Sequence, residues 1–271
     1  MDARQTIDSQ KAMFRQIITL ISIFAALGMN IWANIAPPKG MTIGEISNQL
    51  FGDILITPAN YAFAIWGLIY LGLISFGIYQ ALPPQRYNRL LQRVGYGVTI
   101  ASTAQIAWVF LFLYRQFALS FLAMLGILLP LIGAYLRLPF GRNSLISRDS
   151  YSTERLSRTQ KLLIRNPISI YLAWISVATI VNGAIVLKSW GWNGGIVSSA
   201  IWTIVMLLIA ALITTAVTYP RLDFVYAGVF VWTMVAIAIR NQANLIIAGV
   251  AIGVAIALIL LLLSRSFVGN E

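Results

Sequence analysis

Cysteine and histidine are both absent from this chain, and acidic residues are few, eight Asp and Glu against 19 Lys and Arg in 271 residues. The first two absences exclude disulfides, thiol nucleophiles, imidazole bases and histidine or cysteine metal sites. Charged residues make up only 10% of the chain and hydrophobic ones 59%, whereas a soluble domain carries about 25% charge. The composition is that of a membrane protein. No acidic, basic or histidine side chain lies at the centre of any apolar run, which argues against the buried relays of proton pumps and charged-substrate carriers. Also missing are a catalytic triad, a phosphate-cradling glycine loop and paired carboxylates within the membrane. The chain therefore reads as a non-enzyme that requires no cofactor.

What is present is a series of apolar runs, each long enough to span a bilayer at about 1.5 Å per residue. They lie near residues 16–35, 61–81, 94–114, 117–138, 167–188, 196–217, 223–239 and 244–264. The fold class expected is an all-α integral membrane protein with eight transmembrane helices, the first of them retained rather than cleaved as a signal peptide. Between the first two spans, residues 36–60 form a loop broken by Pro37, Pro38 and Gly40 and closed at Pro58. Within it Ile43, Ile46, Leu50 and Phe51 recur at helical spacing, which suggests a short amphipathic helix on the membrane surface. Pro130, mid-span, should kink the fourth helix.

An even number of spans puts both termini on one side. Of the 19 basic residues, all but Lys39, Arg115, Lys188 and Arg240 fall on that side. Many of them are in a long basic loop at 139–166, which carries Ser144, Ser147, Ser150, Ser152 and Ser157 and should be partly helical toward Leu163. The split predicts cytoplasmic N- and C-termini. The net charge of +11 thus reports topology and anionic headgroups rather than nucleic acid. In the last span Gly249, Gly253 and Ala257 form a small-residue stripe, which suits either packing within the bundle or a homodimer.

Six tryptophans, Trp32, Trp66, Trp108, Trp174, Trp202 and Trp232, sit on different spans, while Trp190 and Trp192 lie in a loop. Trp32, Trp190 and Trp192 suit an interfacial belt. Others share a helix face with a polar group or further rings: Phe63, Trp66 and Tyr70; Gln105, Trp108 and Phe112; Tyr171, Trp174, Ala178 and Asn182. The last set spans an arc of about 80° at 100° per residue. Such faces either pack helix to helix, with the amide as interhelical glue, or wall a small-molecule pocket.

Tyr171-Leu-Ala-Trp174 followed by Asn182 resembles the fifth-helix signature of the tryptophan-rich sensory protein/translocator protein (TspO/MBR) family. Gly191-Trp192-Asn193-Gly194-Gly195 is similar to the tail in some members. Pro58, Trp66 and Tyr70 on the second span and Gln105-x-x-Trp108 on the third match its spacing in the same order. The resemblance covers roughly residues 14–195. It implies a five-helix bundle, here over residues 1–190, with residues 36–60 as a lid; the remaining spans form a three-helix extension over 191–271. It also implies a cavity lined by Trp66, Tyr70, Gln105, Trp108, Trp174, Ala178 and Asn182. The family binds tetrapyrroles, sterols and benzodiazepine-like compounds, so the implied partner is a hydrophobic small molecule, a tetrapyrrole or a lipid-like compound. Sensing, transport, an assembly role and tetrapyrrole degradation are the functions to be weighed. The chain departs from the family in lacking the lid's Lys-Pro-x-Trp-x-Pro-Pro run, in replacing asparagine by Gln105, and in the added spans.

Overall fold

A computed structural model describes residues 3–140 and 156–268. The serines Ser144, Ser147, Ser150 and Ser152 and the basic residues Arg142, Arg148 and Arg155 of the long loop lie outside the described residues. Eight long helices occupy the rest: α1 Ala3–Ile35, α2 Ile65–Ala81, α3 Arg89–Leu113, α4 Phe117–Leu136, α5 Asn166–Ser189, α6 Ser199–Thr218, α7 Phe224–Arg240 and α8 Leu245–Val268. Seven spans are long and apolar enough to cross a membrane; α7, with 17 residues, is shorter. At about 1.5 Å per residue α7 reaches roughly 26 Å, slightly less than a hydrocarbon core.

The first five helices close into a ring. α1 packs on α2 and α3, α3 on α4, α4 on α5, and α5 returns to α2. The close approach of α3 to α4 depends on Gly97, whose Cβ would stand 2.9 Å from the Pro130 carbonyl oxygen. From the extension, α7 lies against α5 and the turn at Asn60–Ala64, α8 packs on α7, and α6 packs on both. Polar caps fix the helix starts: the side chains of Asn88, Ser198 and Asp223 accept backbone N–H groups at the heads of α3, α6 and α7.

Asp223 does more than cap. Its carboxylate also accepts the Tyr135 hydroxyl of α4 at 2.9 Å and the Ser169 hydroxyl of α5 at 2.7 Å. It is fully buried, so four donors offset the loss of water and pin the extension to the ring.

Four expectations change. The helix predicted from residue 16 begins at Ala3, because Ala12 and Arg15 already pack inside the bundle. Arg15, counted as a topology charge, is 2% exposed. It donates to Gln80 Oε1, the Leu91 carbonyl and the Arg86 carbonyl, each at 3.2 Å, and so locks the α2–α3 connection. The amphipathic lid segment exists, as the turns Ile43–Glu45 and Ile46–Leu50, but its apolar side faces the protein everywhere except at Leu50, which is exposed. Ile46, Phe51, Ile54 and Ile56 are buried there, and Phe51 meets Phe117 of α4 edge to face at 4.9 Å. A ring of helices open at one end offers that side a drier partner than the headgroup region does. On α8, Gly249, Gly253 and Ala257 are exposed. The buried face is instead Ile247, Ala251, Ala255, Leu258 and Leu262, so the small-residue stripe takes no part in packing the bundle.

Candidate ligand-binding site

Helix polarity decides which residues meet. α2 and the oppositely running α3 and α5 bring the start of α2 and the ends of α3 and α5 to the lid. Phe63, Trp66, Trp108, Phe112 and Trp174 therefore fall in one layer beneath it. Trp66 is the hub. It stacks on Trp108 at 6.4 Å and on Tyr70 at 5.8 Å, and meets Trp174 edge-on at 6.4 Å. Phe63 meets Trp174 edge-on at 5.8 Å, and Phe112 continues the chain of rings from Trp108 to Phe117. Offset and edge-on geometries are those that aromatic quadrupoles favour.

The rings border a nearly apolar cavity of about 40 Å³. Trp66, Trp108, Trp174, Ala178 and Asn182 all line it, joined by Phe63, Phe112, Val177, Val181 and the lid residues Ile43, Ser47 and Pro58. Two residues of the sequence-derived set do not. Tyr70 and Gln105 lie one turn deeper, where Gln105 donates to the Tyr70 hydroxyl and accepts the Tyr171 hydroxyl, and Tyr70 donates to the Ala26 carbonyl at 3.3 Å. They form a hydrogen-bonded floor rather than a wall. Their faces were legible from spacing; their depth relative to the lid was not. The lid residues carried no signal of their own, and Val177 and Val181 read as ordinary packing.

Asn182 combines both roles considered for it. It accepts Trp108 Nε1–H at 3.2 Å and donates to Ser120 Oγ at 3.2 Å, which ties α5 to α3 and α4, and it also borders the cavity. Trp174 differs. Its indole N–H is buried and has no partner among the described residues, although the ring is 3% exposed and borders the cavity. A buried donor left unpaired costs about 1–3 kcal/mol.

Beside this cavity, and sharing Ile43, Phe63 and Trp66 with it, lies a polar vestibule of about 380 Å³. The lid over both is held from the extension. Arg240, at the end of α7, donates to Asn48 Oδ1 and to the Gly52 carbonyl at 3.3 Å. Asn241 donates to the Leu55 carbonyl at 2.8 Å, and the Ala59 amide donates to the Ala236 carbonyl at 3.1 Å. Lys188 pairs with Asp53 at 2.5 Å, both substantially exposed, so that pair adds little. The extra helices thus fasten the lid.

A sequence model of the TSPO-like protein family matches residues 16–264. The match takes in α6 to α8, beyond the residues on which the motif resemblance rests. No curated protein and no solved structure matches the chain.

Proposed function

This chain belongs to the TSPO-like protein family, and from that premise we propose that it reversibly binds a flat, hydrophobic small molecule between Trp66, Trp108 and Trp174. The observation that carries this reading is the buried, unpartnered Trp174 N–H among the rings that line an apolar cavity, where the Trp108 N–H by contrast is paired with Asn182. A tetrapyrrole or lipid-like compound would stack on the rings and accept that hydrogen bond. No covalent step, metal or catalytic residue enters the reading, and no cofactor is required.

As it stands the cavity is far smaller than the roughly 300–1,000 Å³ of small-molecule sites. Binding therefore includes lifting the lid and turning Phe63 and Trp66, which separate cavity from vestibule. Opening that wall merges the two volumes into a space of the needed size. The hydrogen-bonded floor of Tyr70, Gln105 and Tyr171, and below it the knot around Arg15, support binding from one side rather than passage across the bilayer, so sensing is favoured over transport.

In this reading all eight helices span, α7 with slight local thinning of the bilayer, and the distribution of basic residues sets both termini in the cytoplasm. The lid then faces the opposite side. A second copy of the chain is a further partner, through the exposed face of Gly249 and Gly253. The test is a porphyrin titration of the protein in nanodiscs, read by tryptophan quenching. One saturable site per chain is expected, weakened by Trp108→Phe and Trp174→Phe. Unaltered quenching and affinity in both variants would remove the pocket.

A further inference from the structure

The vestibule next to the aromatic cavity has a chemistry of its own. Asn30 and Asn34 of α1, Asn48 and Gln49 of the lid, and Asn60 ahead of α2 line it together with Glu45. Amide side chains offer both donors and acceptors, so they suit a hydroxyl, ester or amide group. A carboxylate only accepts, and is recognised best by a cation. No Lys or Arg is among the described residues that line the vestibule. Arg240 reaches Asn48 Oδ1 and the Gly52 carbonyl without entering the lining. Glu45 does line it. Its carboxylate accepts the Thr42 amide at 2.7 Å and the Thr42 hydroxyl at 2.8 Å, and these bonds hold the carboxyl below its usual range, hence ionised at neutral pH.

Resting on the cavity reading above, we propose that the vestibule receives the polar end of an amphipath whose flat body fills the aromatic cavity, and that Glu45 selects an uncharged hydrogen-bonding end over a carboxylate. The wall of Phe63 and Trp66, common to both spaces, is where body and head group join. Neutral head groups exchange water for amide partners at little net cost; a carboxylate gains no ion pair and approaches a like charge.

The probes are 1-pyrenebutanol and 1-pyrenebutyrate, which share ring and tether and differ in the terminal group. Both are titrated against the full chain in zwitterionic nanodiscs, with partition into empty nanodiscs subtracted. Glu45→Gln is the variant, because Gln also closes a capping box with Thr42 and so keeps the lid turn; an unchanged melting temperature verifies this. The wild type is expected to bind the alcohol saturably and in preference to the acid. In Glu45→Gln the acid should gain about three- to tenfold, the size of one exposed, partly screened charge, while the alcohol stays unchanged. A wild-type preference for the acid, or an acid-to-alcohol ratio that does not move in the variant, overturns the selection while leaving the cavity intact. Saturable binding of neither probe overturns the cavity reading and the selection with it.

Discussion

Replacing Arg240 and Asn241 together by alanine should loosen the lid without unfolding the ring. Asn241 gives one neutral bond to Leu55, worth about 1 kcal/mol net. Arg240 gives two charged bonds to Asn48 and Gly52, and its partial exposure discounts these to about 1–2 kcal/mol in all. Against this, the buried lid side chains Ile46, Phe51, Ile54 and Ile56 contribute on the order of 6–12 kcal/mol of apolar burial. The lid therefore stays closed on average, but its opening equilibrium rises by about 2–3 kcal/mol, roughly 30- to 150-fold. Amide hydrogen exchange in nanodiscs reads this directly. The amides of Ile46, Ile54 and Thr57, each bonded within the lid, should speed up by that factor where exchange follows the opening equilibrium, while amides in the middle of α3 keep their rates. Lid exchange within about threefold of the wild type would refute the latch. Equal acceleration in α3 would instead report global destabilisation.

Trp174→Phe removes an unpaired buried donor, so without ligand its melting temperature should equal or exceed that of the wild type, while porphyrin affinity falls by about 1–2 kcal/mol for the lost hydrogen bond. Gly97→Ala forces a Cβ to within 2.9 Å of the Pro130 carbonyl and should destabilise by about 1–3 kcal/mol, read as a lower melting temperature in detergent. Asp223→Asn keeps the shape of a cap but removes the charge that holds Tyr135 and Ser169. Loss of about 2–4 kcal/mol should make the extension proteolytically labile before the ring.

Much of this architecture is legible in the sequence because a bilayer leaves few solutions. Apolar runs of span length must be helices, and the short link at Arg115 and Gln116 makes α3 and α4 antiparallel neighbours. The periodicity around Trp66, Trp108 and Trp174 likewise marks one inward face on each of three helices. What it cannot give is depth. Tyr70 and Gln105 share those faces, yet one helical turn separates floor from wall, and that offset depends on how the helices slide past one another. Charge counting hides Arg15, since a cation near a helix end reads as solvated until the loop that covers it is seen. The apolar period of the lid is plain, but its partner surface is assembled from α4 and α7, far away in the chain, and no local pattern specifies it.

The central claim is that a ligand enters among the tryptophans of α2, α3 and α5. It is tested most directly by ¹⁹F NMR of the 5-fluorotryptophan-labelled chain in nanodiscs, with resonances assigned by single Trp→Phe variants, during a porphyrin titration. The account predicts saturable shifts at Trp66, Trp108 and Trp174 while Trp190 and Trp192, exposed at the end of α5, stay put. Shifts confined to Trp190 and Trp192, or growing with porphyrin at every position without saturation, would contradict it.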